Sequence, residues 1–249
     1  MTEPLFLLDD LADPLPMVGS HVRLAGDEGR HAAIVRRIRP GEIIMIGNGR
    51  GQGVRGVVLE VTGPSLIIEV INHLSSSSES RRFVAAQALA KGDRAELAVE
   101  MLTEMGVDEI VPWQASRSIV RWSPDRAMRS LEKWRSTARE AAKQSRRLTV
   151  PKVSDRVSTA QLAQRVAIVD LALLLHEEAK ESLAEVDLPS AGTILIIIGP
   201  EGGIAAEELR QLTQAGARSV SISEAVLRTS TAGVVALAGL MLRRESDAP

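Results

Sequence analysis

Two short stretches near the C-terminal end have compositions that could do chemistry: Gly199-Pro200-Glu201-Gly202-Gly203 and Leu227-Arg228-Thr229-Ser230-Thr231-Ala232-Gly233. The first follows the apolar run Thr193 to Ile198. Its glycines let backbone N–H and C=O groups approach a ligand closely, because glycine adopts backbone angles closed to other residues. It is not a phosphate loop. It lacks the Lys-Ser/Thr of a Walker motif, Glu201 would repel phosphate, and no Gly-x-Gly-x-x-Gly is present. Standing alone, it would read as an ordinary strand-to-helix turn. In the second stretch, three consecutive hydroxyl residues can cap the free amides of a helix that begins there. Arg228, just before that helix, is electrostatically misplaced, since a helix N-terminus favours anions. It has either a functional partner or a surface one in Glu224 or Glu201, and its position alone leaves both open.

Other chemistries are poorly supplied. There is no cysteine, and the four histidines (His21, His31, His73, His176) have no metal-ligand spacing, so no structural metal is expected. The N-terminus MTEPLFLLDDLADP is acidic where a secretion signal is basic, and the longest apolar run, Ala232 to Leu242, is too short to span a bilayer. A cytoplasmic protein with no membrane partner is expected.

The net charge of -2 conceals an uneven distribution. Residues 114–152 hold 11 basic and 3 acidic side chains, a local +8, whereas residues 1–80 hold 7 and 10 and residues 153–249 hold 8 and 13. Such a stretch suits a polyanion, because each neutralised phosphate releases condensed counterions. A solvated helix face is the equal alternative on charge alone. Aromatic residues make up only 2% of the chain, so an RNA partner would not be held by rows of stacked rings.

The elements that must position these residues fall into two groups. The polar run 75–80, Ser-Ser-Ser-Ser-Glu-Ser, reads as a linker between a domain over 1–74 and one over 81–249. Before it, Glu42 to Ile46, Val54 to Val61 and Ser65 to Ile71 are β-branched segments divided by glycine-rich turns, the pattern of a small, mostly antiparallel barrel or sheet. After it, strands and helices alternate, as in an α/β domain. Phe83 to Ala86 precedes a helix over Asp93 to Met105 that Gly106 stops. Ser123-Pro124 opens a long helix, on which Ala127, Leu131, Trp134, Ala138 and Ala141 form a buried stripe. Trp113, Trp122 and Trp134 therefore read as packing residues. Leu171 to Leu175 and Ile194 to Ile198 read as parallel strands covered on both faces, and Ser219 to Ile222 as a third. Loops at the carboxyl ends of such strands are the usual ligand site.

At this point a resemblance becomes specific. IIIGPEGGI followed by AVLRTSTA resembles the SPOUT class of methyltransferases, and most closely the bacterial 16S rRNA (uracil-N3)-methyltransferase family. Glu104-Met105-Gly106-Val107 with Ser116-Arg117-Ser118 is similar to the family's Glu-Leu-Gly and Ser-Glu-Arg-Ser region. Arg139 to Ser145 resembles its Glu-Ala-Ala-Glu-Gln-Ser signature, and His31 to Arg37 followed by Gly41 its His-x-x-x-Val-Leu-Arg segment. Ser223, Ala225 and Ser230 stand where the family commonly has Gly, Arg and Glu, so no role is assigned to the missing carboxylate.

The resemblance implies a PUA-like RNA-binding N-terminal domain and a C-terminal α/β domain with a deep trefoil knot. It implies a homodimer that uses S-adenosyl-L-methionine (AdoMet) to methylate N3 of a uridine in 16S rRNA of the small ribosomal subunit. Carried over by position, the cofactor residues are Leu175, His176, Glu177, Ile198, Gly199, Pro200, Glu201, Gly202, Gly203, Ile222, Ser223, Leu227 and Thr231. Arg228 is the catalytic candidate, as a cation for charge developing on the uracil, and no general base stands out. His31, Arg36, Arg37, Arg117, Arg139, Arg146 and Arg147 are the RNA-binding candidates. The alternatives are a SPOUT enzyme acting on ribose 2′-O, and a non-catalytic RNA-binding assembly factor.

Overall fold

The computed structural model describes residues 3–76 and 80–246; residues 77–79 of the expected serine-rich linker lie outside the described residues. The chain forms two compact units. The first takes the described residues up to 76 together with 140–150, and the second takes 80–139 and 151–246.

The first unit contains β1 (Leu5–Leu7), β2 (His21–Leu24), α1 (Gly26–Arg30), β3 (Ile43–Gly47), β4 (Gln52–Thr62) and β5 (Ser65–Ser75). Its sheet runs β1-β3-β4-β5-β2, antiparallel except for the β1–β3 pair. Alternate residues of each strand face inward, and Phe6, Leu24, Ile44, Ile46, Val54 and Ile68 form the core. Sequence patterning identified β3, β4 and β5; β1 and β2 are only three and four residues long, too short for a periodicity to register. Asn48 shapes the turn after β3, its side-chain oxygen accepting from the Arg50 and Gln52 amides at 2.8 and 3.2 Å.

The second unit contains β6 (Arg81–Ala88), α2 (Arg94–Met105), β7 (Glu109–Gln114), α3 (Pro124–Gln144), β8 (Lys152–Val153), β9 (Val157–Ser158) and α4 (Thr159–Val166). It continues through β10 (Leu171–Leu175), β11 (Glu181–Ser182), β12 (Gly192–Ile198), α5 (Ala206–Gln214), β13 (Arg218–Ser221) and α6 (Thr229–Ser246). The last turn of α3 and the segment after it belong to the first unit, where Lys143 is buried and donates to Glu28 at 2.8 Å and Glu140 at 3.1 Å. The Val150 amide donates to Gly49 O and the Gly51 amide to Leu148 O, which adds this segment to the β3–β4 turn.

All strand pairs of the second unit are parallel, in the order β11-β13-β10-β12-β6-β7-β8, with β9 also pairing with β7. Every residue of β10 is buried, as a strand covered on both faces requires. On one face Val84, Ala86, Leu174 and Ile197 cluster with Leu162 and Val166 of α4 and Leu212 of α5. On the other, Gln87 and Ile198 meet α6, and α6 packs on α2. Gly233 makes that packing close: a Cβ there would lie 3.1 Å from Ile198 Cγ1. The three tryptophans pack inside, Trp113 and Trp134 fully, with Trp122 and Trp134 edge to face at 5.3 Å.

Glu109, at the start of β7, is a buried carboxylate with a full set of partners. It accepts from Arg82 and Ser154 at 2.5 Å each and from Arg165 at 2.9 Å. Burial pushes its pKa up, but the bonds from Ser154, Arg165 and Arg82 outweigh burial and lower it to about 2.

Candidate active site

One cavity of about 680 Å³ opens at the carboxyl ends of β6, β10, β12 and β13, the position at which open parallel sheets bind ligands. Leu175, His176 and Glu177 reach it from the end of β10, and Ile198 to Glu201 with Gly203 and Ile204 from β12. The segment after β13 contributes Ile222, Ser223 and Ala225 to Thr229, while Lys91, Gly92 and Arg94 come from the end of β6. Ile119 and Ala232 complete the wall. The structure therefore brings together every cofactor candidate except Gly202 and Thr231. Of the three hydroxyl residues, the one that lines the cavity is Thr229, two residues earlier on α6.

Local chemistry explains these loops. Gly203 has φ +72°, a left-handed conformation that side chains resist. At Gly199 a Cβ would lie 2.8 Å from Ile204 Cγ1, and at Gly202 3.1 Å from the Arg117 carbonyl. The glycines thus serve backbone conformation and close packing. The His176 amide donates to Val220 O, and its Nδ1 accepts from the Glu178 amide at 3.2 Å, so the neutral ring carries its proton on Nε2. Ser223 Oγ accepts from the Ala225 amide and tightens the loop after β13.

Behind the glycine loop sits Glu208, nearly fully buried at the start of α5. It accepts from the Ser116 amide and hydroxyl at 2.9 and 2.7 Å and from Thr159 Oγ1 at 2.6 Å. Burial pushes its pKa up, but these bonds and that from the Ala205 amide hold it below the usual carboxylate range. Glu208 thereby fixes residues 116–119 beside the cavity, and Arg117 Nη1 there donates to Gly202 O at 3.4 Å.

The cavity's own charges are left open. Arg228 is exposed, and among the described residues its guanidinium makes no ion pair or hydrogen bond, with Glu224 and Glu201 included. Its carbonyl accepts from the Thr231 and Ala232 amides and so begins α6. Arg94, half-buried at the first position of α2, is a second cation at a helix N-terminus on the same cavity. The carboxylates of Glu177 and Glu201 also lack a cationic side chain; Glu201 accepts only from the Lys91 amide, at 3.3 Å.

The RNA candidates are more dispersed. Arg36 and Arg37 are exposed on the first unit, Arg37 with φ +55°. Half-buried His31 packs edge to face on Phe6 at 6.0 Å, a structural contact. Arg139 and Arg147 are half-buried, whereas Arg146 is exposed with φ +56°. No group of three or more His, Asp or Glu among the described residues could hold a metal ion, and no helix is long and apolar enough to cross a membrane.

Lys91, Arg94 and Gln87 were not singled out by their types. A single amide in an alanine-rich strand and two cations beside a glycine carry no motif; only the placement of the end of β6 at the cavity reveals them.

Comparison with known proteins agrees with this geometry. The RNA methyltransferase domain family matches residues 77–241, and the RNA methyltransferase PUA domain family residues 24–71. Ribosomal RNA small subunit methyltransferase E of Mycobacterium bovis is 44% identical over 90% of this chain and 87% of its own length. The Bacillus subtilis protein of that name is 30% identical over 89% and 90%. Among solved structures, ribosomal RNA small subunit methyltransferase E from Neisseria gonorrhoeae, bound to S-adenosyl methionine, superposes with a TM-score of 0.85 at 26% identity, covering 97% of this chain and 98% of that one. A parallel α/β unit that gathers its glycine loop, hydroxyls and unpaired arginine around one cavity, preceded by a PUA domain, belongs to the RNA methyltransferase family that includes ribosomal RNA small subunit methyltransferase E.

Proposed function

We propose that the chain methylates N3 of a uridine in 16S rRNA of the small ribosomal subunit, with AdoMet held in the cavity of the second unit. The single observation that carries this reading is the convergence of Leu175 to Glu177, Ile198 to Glu201 with Gly203, and Ile222, Ser223 and Ala225 to Leu227 on one cavity of about 680 Å³. That volume lies in the range of small-molecule sites. The lining fits this cofactor in particular. Leu175, Ile198, Ile222 and Leu227 offer apolar walls, the glycine loop offers backbone groups, and the lining carries both carboxylates (Glu177, Glu201) and cations (Lys91, Arg94, Arg228), which suits a ligand bearing both signs of charge.

When bound, AdoMet supplies an electrophilic methyl group. The protein's task is to align the acceptor nitrogen with it. As the N3 proton leaves, negative charge spreads to the uracil oxygens, and the role assigned to Arg228 is to stabilise it, a reading supported by its unpaired position on the cavity lining. No carboxylate or histidine is assigned as base, and water or RNA can accept the proton.

Arg36, Arg37, Arg117, Arg139, Arg146 and Arg147 are proposed to contact phosphates, and His31 to support that surface through Phe6. The enzyme is proposed to act in the cytoplasm as a homodimer, with the C-terminal segment drawn through a trefoil knot. Exposed Val226, Val235 and Leu242 on the last loop and helix support a second copy, which light scattering of the purified chain would register as twice the monomer mass.

The deciding experiment offers methyl-labelled AdoMet and unmodified small-subunit particles to the purified chain and identifies the labelled nucleoside. N3-methyluridine is expected. Label in a 2′-O-methyl nucleoside would favour ribose methylation, and no transfer with intact RNA binding would favour an assembly factor.

A further inference from the structure

Gln87, at the carboxyl end of β6, is fully buried and does not itself line the cavity. Its Nε2 donates to Thr229 Oγ1 at 3.0 Å, with longer contacts to Thr229 O at 3.4 Å and Ala88 O at 3.3 Å. The Thr229 hydroxyl in turn donates to Gly199 O at 2.7 Å. The directions are fixed: a carbonyl can only accept, so the hydroxyl proton goes to Gly199 and the hydroxyl oxygen takes an N–H from Gln87. Beyond the β6–β12 pairing and the packing of Gly233 on Ile198, the relay ties three chain segments together by hydrogen bonds. These are the end of β6, the first residue of the glycine loop, and the first residue of α6, directly after Arg228.

The same orientation leaves Gln87 Oε1 buried without a partner. An unpaired buried acceptor is costly, and leucine or methionine would fill a similar volume without that cost. A side chain serving packing alone has no use for this amide. A side chain that must hold a hydroxyl at a set distance from a backbone carbonyl does.

We propose that Gln87 is a positioning residue for methyl transfer, acting through Thr229 to fix the glycine loop relative to Arg228. The proposal rests on the reading of the cavity as the AdoMet site. Thr229→Val keeps the shape and removes the hydroxyl, Thr229→Ser keeps the hydroxyl, and Gln87→Met removes the amide. In the full-length chain, calorimetry with AdoMet, single-turnover methylation, melting temperature and amide exchange of Gly199 to Gly203 are measured for each.

Gln87→Met and Thr229→Val are each expected to weaken AdoMet roughly tenfold and slow turnover by a larger factor, with the melting temperature within about 3 °C of the parent. The double variant should be no worse than the poorer single one, because both break the same relay. Thr229→Ser should stay near the parent, and exchange in the glycine loop should quicken in the first two variants. Unchanged affinity and rate, strictly multiplicative losses, or a fall in melting temperature that accounts for lost activity and that serine does not rescue would each overturn the relay. Failure of the parent chain to bind AdoMet would sink the cavity reading instead; the exchange measurement still tests the relay, because it needs no ligand.

Discussion

The arginines around Glu109 and those at the cavity live under opposite rules. Arg82 and Arg165 close on one buried carboxylate whose remaining acceptor capacity Ser154 also uses. Arg228, on the same unit, lines its cavity without an ion pair among the described residues, and half-buried Arg94 on the same cavity likewise has none. Where a charge serves the fold, partners are supplied in full, because an unpaired buried ion is expensive. Where the cation is exposed to a cavity at a helix N-terminus, it is free to meet a bound group, which is the role proposed for Arg228.

The largest effect should come from the unpartnered side. Arg228→Ala is expected to lower the single-turnover rate about a hundredfold, the scale of losing one preorganised donor, while AdoMet affinity and melting temperature stay near the parent values. Lysine should restore only part, since it keeps the charge and loses the planar fork. A stable, fully active alanine variant would place Arg228 with ordinary surface residues and erase the contrast.

Glu109→Gln tests the partnered side and should read out in stability alone. The folded carboxyl has a pKa of about 2 against 4.5 for the free group, so its contribution is fully present above about pH 4.5 and lost as the pH falls towards 2. Because both arginines remain partly exposed, a loss of about 2 kcal/mol at neutral pH is expected. The parent should approach the variant's melting temperature on acidification, and AdoMet affinity per folded molecule should not change. An unaltered melting temperature at pH 7 would show that the pair is energetically idle.

Arg146 sharpens the comparison with the smallest effect. It follows α3 in a left-handed conformation that glycine adopts freely, and it makes no side-chain ion pair among the described residues. Arg146→Gly should therefore raise stability by about 1 kcal/mol while lowering the salt slope of RNA binding by about one unit. A stabilised protein with an unchanged slope would mean that this cation never meets a phosphate.

The sequence made some of this legible and hid the rest for identifiable reasons. β10, β12 and the glycine loop stood out because a doubly covered parallel strand is an unbroken apolar run and its exit needs special backbone. The stripe on α3 was readable because Trp134 and Ala138 repeat at helical spacing and are buried as that spacing demands. β8, β9 and β11 have two residues each, too few for any period to appear. Among Thr229, Ser230 and Thr231, which residue lines the cavity depends on where α6 starts to the residue, and patterning does not resolve that. Gln87, Lys91 and Arg94 became visible only when pairing with β12 and β7 carried the end of β6 to the cavity.

The all-parallel sheet has a further consequence, for how the chain acquires its shape. β4 and β5 are joined by a tight turn at Gly63-Pro64 and can zip together from neighbouring residues within microseconds. No two hydrogen-bonded strands among β6, β10, β12 and β13 can do so, since parallel partners need a crossover between them. The Gln87–Thr229 bond closes a separation of 142 residues. The loop entropy must be met before such contacts repay it, so the second unit is expected to fold more slowly than the β4–β5 hairpin and its cavity to form late. A ligand that fits only the finished cavity then acts by mass action on the whole unit, drawing late intermediates towards the native state as its concentration rises.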